Sequence, residues 1–481
     1  MTERKDRKHR GDQFQAAEVE EAAAGHGGLS EEELHELVAS SDFGARAPGR
    51  LTATLILVVA ISWSLFQLWI ASPLPFMLRF GVFNDTEARS FHLAFALFLA
   101  FLAYPSPRSP FQMVLAVGVP ILMAVLFIYG LNERGEPLGT LLAREAGQIW
   151  WIAAIALAMV IFALLPSPKT YVPIWDWILA AAGVTAALYG FVYYADIVTR
   201  IGRPITADLM VSVLGLIVLL EATRRTLGPA LMVIATVFLV YTFLGPMMPD
   251  LIAHKGNSLS EVASHQWITT EGVFGIALGV STSFVFLFVL FGALLDKAGA
   301  GNYFIQVAFS LMGHMRGGPA KAAVVSSAMT GLISGSSIAN VVTTGTFTIP
   351  LMKKVGLSSE KAGAIEVASS VNGQIMPPVM GAAAFLMVEY VGIPYFDVVR
   401  HAILPATITY IALVYIVHLE AVKAGMQGME RAYVPKPWIQ RLMGIAVGII
   451  GISLLSFGVY YGMGWIRPTF GKNAGWIVFG L

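Results

Sequence analysis

The sequence predicts an all-α polytopic membrane protein: a helical bundle carrying a re-entrant hairpin and a broken helix. Three observations point to it. Of the 481 residues, 56% are hydrophobic and 13% charged, against about 25% charged in soluble domains, and the mean hydropathy is +0.71. Apolar runs near the roughly 20 residues that cross a bilayer core recur from residue 51 onward. Between Gly331 and Gly381, Gly, Ser, Thr, Asn and a Pro-Pro pair interrupt otherwise apolar sequence. Irregular backbone at membrane depth is tolerated only where protein buries it or where it lines a cavity.

Residues 1–48 are expected to form a disordered cytoplasmic tail. Residues 1–50 hold seven Lys/Arg against eleven Asp/Glu. A basic start (Arg4, Lys5, Arg7, Lys8, Arg10) precedes SEEELHEL, residues 30–37. That octet reads as a short amphipathic helix, Ser30 its N-cap and Glu33 completing a capping box. No apolar run follows the basic start within the first 30 residues, so it does not read as a signal peptide.

Spans are expected near Leu51–Ser72, Ser90–Tyr104, Phe111–Leu131, Ile149–Leu165, Ile174–Ala195, Ala207–Leu220, Pro229–Leu244 and Val273–Leu295. The second is short and implies local bilayer thinning. A weak repeat relates Tyr104–Phe111 to Leu165–Val172; it reads equally as a duplicated helix pair or as shared loop chemistry. Ser258–Gly272 mixes polar and apolar residues and is expected at the outer interface. Pro319–Ile349 is too interrupted for one span and reads as two half-helices of a hairpin. Lys361–Tyr390 reads as one helix broken at Asn372–Pro378, and further spans follow near His401–Leu419 and Leu442–Tyr461.

Charge parity supports the hairpin. With the N-terminus inside, Arg108, Lys169, Arg224, Arg225, Lys297, Arg316, Lys353, Lys354, Arg431 and Lys436 fall on the cytoplasmic side. The opposite loops carry acids such as Asp85, Glu87, Glu133 and Glu136. This satisfies the positive-inside rule only if Pro319–Ile349 enters and leaves on one face.

The candidate site follows from the breaks. Ser334, Gly335, Ser336, Ser337 and Asn340 share one short window. Where half-helices meet, unwound carbonyls and helix ends hold ions, and neutral hydroxyl and amide oxygens suit Na⁺ or a polar solute. Thr344 extends that polar supply. Close packing by small residues, with Gly331 and Gly335 as a GxxxG, is the bland alternative. In the second break Pro377 and Pro378 remove backbone donors and free carbonyls near Asn372, Gly373 and Gln374. Glu366, flanked by apolar residues, is the candidate for a coupled proton, or else pairs with Lys361. Glu221, Arg224 and Arg225 read as an intra-segment salt bridge at a helix end. The histidines show no metal-ligand spacing and read as structural.

Several classes are excluded. No phosphate-binding GxxxxGK[ST] loop, GxSxG elbow or HExxH zinc helix is present. The absence of cysteine removes disulfides and thiolate sites. Past the N-terminus no basic block suggests nucleic acid. No cofactor is expected; the lipid bilayer is the expected surrounding. An intramembrane enzyme would need a reactive constellation near one interface, and none can be assembled.

The stretches HLAFALFLAFLAYPS (from His92), WDWILAAAGVTAALYG (from Trp175), LLEATRRTLGPAL (from Leu219), GLISGSSIANVVTTGTFTIPLMKK (from Gly331) and AGAIEVASSVNGQIMPPVMGAAAF (from Ala362) resemble the tripartite ATP-independent periplasmic (TRAP) transporters. Over roughly residues 50–481 the chain looks like the fused permease of the TAXI subclass. The resemblance implies a static small domain, residues 49–226, and residues 227–481 as the first inverted repeat of an elevator-type transport domain. The family's small part usually has four spans, where six are counted here. The resemblance further implies a periplasmic solute-binding protein as partner, an organic acid or amino-acid-like solute, and Na⁺ or H⁺ as coupling ion. A multi-pass inner-membrane location with a cytoplasmic N-terminus goes with it. Residues Ser334, Ser336, Ser337, Asn340, Asn372, Gly373 and Gln374 would line one ion site and one wall of the substrate cavity. The second repeat is not expected before Leu481, so a truncated product or a second chain carrying it completes the expectation. A standalone ion-coupled symporter without a binding protein is the alternative.

Overall fold

A computed structural model describes residues 46–132, 137–200, 202–426 and 438–470. The helix expected at 30–37, the loop charges Glu133, Glu136, Arg431 and Lys436, and the stretch after 470 lie outside them. The described residues are helical and contain no strand, and nine of their helices are long and apolar enough to cross a membrane. The protein is an all-α polytopic membrane protein.

The first seven long helices are α1 (Arg50–Ala71), α2 (Asp85–Ala103), α3 (Pro110–Gly130), α4 (Ala146–Leu164), α5 (Ile174–Val192), α6 (Thr206–Thr226) and α7 (Pro229–Leu244). Proline opens α3 and α7, where its missing N–H costs nothing. The expected short second span is corrected: α2 has 19 residues and starts at Asp85, not at Ser90. Asp85 and Glu87 look like loop residues, yet anions belong in a first helical turn. The Asn84 side chain and Glu87 complete a capping box.

Around α6 the first core gathers Leu97, Phe101, Phe127, Ile152, Ala180 and Val213. The salt bridge expected within α6 is present but is part of a wider buried cluster. Glu221 accepts from Arg224 (2.8 Å) and Arg225 (2.6 Å), and Arg225 also reaches Asp176 on α5 (2.7 Å). The other oxygen of Asp176 receives Arg46, just ahead of α1, and the Ser167 hydroxyl at 3.0 Å. Arg224 donates to Ser106 at 2.7 Å and Gln112 at 3.1 Å. Arg225 also lies 5.1 Å from the centroid of the Phe101 ring. Buried charges are tolerated because each is paired and hydrogen-bonded.

Ser258–Gly272, expected at the outer interface, packs its apolar side against the first bundle. Leu259, Val262, Ala263 and Trp267 are buried in the first core, and Trp267 Nε1 donates to Ala186 O at 3.1 Å. Its apolar residues found protein to bury against. A Cβ at Gly215 would lie 2.2 Å from that indole, which its hydrogen bond pins. Gly215→Ala is therefore expected to cost about 1–3 kcal/mol by overpacking, read as a lowered unfolding midpoint in detergent.

The second half begins with α8, residues 276–297: Ile276–Val280, a π-helical turn Ser281–Val285, then Phe286–Lys297. There follow α9 (Ala300–Met312), α10 (Gly318–Ser334), α11 (Ser337–Lys354), α12 (Ser359–Asn372), α13 (Ala382–Val391), α14 (Tyr395–Lys423) and α15 (Trp438–Phe470). Ala320, Ala323, Val324, Met352, Ala362, Tyr410 and Val417 form a second core. Met380, Ala384 and Val398 form a third. The boundary drawn at 226/227 falls between α6 and α7, and both helices contribute to the first core, which runs on to Phe274. Helices α1 and α14 bury little of their length against the rest, as lipid-facing helices do.

Candidate functional site

The two sequence breaks fold against each other. Helices α10 and α11 form a hairpin whose tip is Gly335, at φ +58°, a left-handed conformation that glycine adopts without strain. The Ser336 hydroxyl then caps α11 by accepting from Ala339 N at 3.3 Å. After α12 the chain makes one 3₁₀ turn, Gly373–Ile375, and leaves the helix through Met376 and the two prolines before α13. A Cβ at Gly335 would lie 2.1 Å from Met380 O, so the tip rests on the second break.

Gly331 and Gly373 let the two backbones meet. A Cβ at Gly331 would lie 2.7 Å from Gly373 Cα. The bland reading, close packing by small residues, is thus true of Gly331 and coexists with a polar interior beside it.

That interior is a chain of hydrogen bonds. Asn340, 1% exposed, donates from Nδ2 to Ser327 O (2.9 Å) and Ser327 Oγ (3.0 Å). Its Oδ1 is buried without a hydrogen-bond partner among the described residues. Ser327 and Ser370 hydroxyls lie 3.2 Å apart, and Ser370 Oγ is 3.4 Å from Glu366 Oε1. Glu366 is fully buried, with Thr344 Oγ1 on Oε1 and Thr348 Oγ1 on Oε2. Tyr410 on α14 closes the back by donating to Ser369 O at 2.9 Å.

The pairing of Glu366 with Lys361 is corrected: Lys361 bonds Glu420 on α14, while the side-chain partners the structure gives Glu366 are hydroxyls. Lys361 sits in the first turn of α12, near the end of α14, and Glu366 lies over a turn deeper, on the face toward α11. A Cβ at Gly345 would lie 3.0 Å from Glu366 Cγ, so glycine makes room for the carboxyl.

The threonines can serve either charge state. Each hydroxyl also faces a backbone carbonyl one turn back: Thr344 toward Asn340 O at 2.7 Å, Thr348 toward Thr344 O at 2.9 Å. A hydroxyl has one proton and two lone pairs. Donating to Glu366, both satisfy a carboxylate; when one turns to its carbonyl, its lone pairs accept the O–H of a carboxylic acid.

The remaining candidates lie toward the opening. Gln374 Nε2 donates to Ser337 Oγ at 3.0 Å, tying the breaks together on the exposed side. Ser334 Oγ bonds the Ser336 backbone at 3.3 Å. Asn372 ends α12, half-buried. Sequence reasoning missed Ser327, Ser370 and Tyr410. Paired serines at 326–327 and 369–370 inside apolar helices were the available signal; Tyr410 gave none.

The chain is thus a multi-pass helical protein in which a hairpin and a broken helix enclose buried polar groups. The chain belongs to the family described as tripartite ATP-independent periplasmic transporter, DctM component, which matches residues 214–479, more than half of it. It is similar to an uncharacterized protein y4mL of Sinorhizobium fredii, 27% identical over 36% of this chain and 42% of that one. It is 32% identical to the C4-dicarboxylate TRAP transporter large permease protein DctM of Rhodobacter capsulatus, over 19% of this chain and 21% of that one. To the ectoine TRAP transporter large permease protein TeaC of Halomonas elongata it is 24% identical, over 38% and 42%. The chain spans less than half the length of the curated relatives it matches. The family is one of inner-membrane transporters, not enzymes.

Proposed function

We propose that the chain is the permease of a binding-protein-dependent secondary active transporter, with small and large parts fused as in the TAXI subclass, its N-terminus cytoplasmic. A periplasmic solute-binding protein delivers an organic acid or amino-acid-like solute, and the body carrying the hairpin moves it in an elevator motion against the first bundle. An ion gradient drives the step. The observation that carries this reading is Glu366: a fully buried carboxyl, bonded by hydroxyls, at the seam between hairpin and broken helix. An ionisable group within a membrane segment is a functional candidate by default. C4-dicarboxylate and ectoine, named for two relatives, fit the solute class.

Glu366 suits a proton. Asn340 Oδ1, a buried neutral oxygen without a partner, suits Na⁺, with carbonyls near Gly373 and Gln374 and the Ser334, Ser336, Ser337 hydroxyls lining the solute side. Asn340→Ala is expected to weaken Na⁺ dependence: the Na⁺ concentration giving half-maximal uptake rises about tenfold, as for loss of one strong polar contact. An unchanged Na⁺ dependence removes Asn340 from the site. Uptake of labelled C4-dicarboxylate, 2-oxo acid and amino-acid probes into proteoliposomes tests the whole reading. Uptake requiring both binding protein and ion gradient supports it; uptake without binding protein supports the standalone symporter.

A further inference from the structure

Helix α8 passes from one core to another. Val273 and Phe274, just ahead of it, and Leu278, in its first turn, pack with the first core. One turn past Val280, Phe284 stacks near Phe385 and Tyr395, and a turn later Phe288 lies tilted against the same rings, with centroids 6.2 Å and 5.4 Å from Phe385. The π-helical turn Ser281–Val285 lies at this crossing. Such turns insert a residue into the helical ladder and recur at functional positions. Thr282 Oγ1 bonds back to Leu278 O at 2.7 Å and Ser283 Oγ to Gly279 O at 2.9 Å, a pattern that bends helices.

Helix α2 grips the crossing twice. Arg89 Nη1 donates to Phe274 O (2.8 Å) and Gly275 O (3.3 Å). A Cβ at Gly279 would lie 2.5 Å from the Arg89 guanidinium, so glycine leaves the guanidinium room at this position. One turn along α2, His92 is buried, and its ring packs edge-on against Trp63 and Phe286. Its Nδ1 receives the N–H of Trp63 at 3.2 Å and that of Gln67. Two donors fix Nδ1 as acceptor, so Nε2 carries the proton and donates to Ser281 Oγ at 3.0 Å. That bond lands on the first residue of the π-helical turn.

We propose that Ser281–Val285 is a joint between the first bundle and the body carrying the hairpin, and that His92 is the clasp fixing its angle through Ser281. Releasing the clasp loosens Ser281–Val285, so that α8, which reaches α13 and α14 through Phe284 and Phe288, can change its angle against the first bundle, where Phe286 still packs on Trp63. The transport reading supplies a use for such a joint, but the joint stands on its own geometry.

Hydrogen–deuterium exchange of the full chain in lipid nanodiscs tests it, with Ser281→Ala and His92→Phe as variants. In both, amides of residues 281–288 are expected to exchange roughly three- to tenfold faster, the ratio that loss of one net hydrogen bond gives, with α5 and α10–α12 unchanged. Unchanged exchange at 281–288 in Ser281→Ala overturns the clasp. So does a rise in His92→Phe spread equally over α2 and α5, which would make His92 a core residue alone. Because exchange is read without solute or gradient, these outcomes are separate from any failure of the transport reading.

Discussion

Glu366→Gln is expected to abolish uptake driven by an inward proton gradient while leaving the protein folded. The carboxamide keeps the shape of the carboxyl: its oxygen accepts from one threonine and its NH₂ donates to the other's lone pairs. Rearranging one or two hydrogen bonds changes stability by about 1 kcal/mol. The lost property is the exchangeable proton. With Thr344, Thr348 and Ser370 around it, the carboxyl sits in a box that accepts either charge state, and glutamine holds it in one. Proteoliposome uptake at imposed pH gradients measures this. Retained proton coupling in the folded variant would remove Glu366 from the mechanism.

Asp176→Ala carries the largest expected loss of stability. Asp176 is wholly buried and joins Arg46, Arg225 and Ser167. Its removal leaves three buried guanidinium groups, Arg46, Arg224 and Arg225, with a single carboxylate, Glu221, among them. Breaking a buried pair from one side costs about 3–5 kcal/mol, because the remaining charge is stranded. Thermal unfolding in detergent, followed by intrinsic tryptophan fluorescence, should show a large drop in midpoint. An unchanged midpoint would mean the arginines reach water and the cluster is peripheral.

Spans and breaks were legible because they are local. Apolar runs of membrane length, and glycine or proline set among them, declare themselves within a few residues; the hairpin tip at Gly335 and the turn at Gly373–Ile375 fall where composition changes. The start of α2 was misread because Asp85 and Glu87 are as typical of loops as of first helical turns. What the sequence hid is long-range. Arg46 and Asp176 stand 130 positions apart, and no local pattern pairs them. Ser327 looks like helix-packing filler until Asn340 is seen donating to it. Lys361 was a plausible partner for Glu366 by spacing, but Glu420 on α14 takes it, and that pairing needs tertiary structure. His92 read as structural, and it is buried; its bond to Ser281 across 189 positions was beyond any sequence argument.

In the proposed function the polar seam between hairpin and broken helix couples solute movement to an ion gradient. The most direct measurement is labelled-solute uptake by the reconstituted protein with its binding protein, comparing imposed Na⁺ or proton gradients with gradients collapsed by ionophores. Accumulation is expected with a gradient and none without. Accumulation that persists after both gradients are collapsed would contradict that coupling.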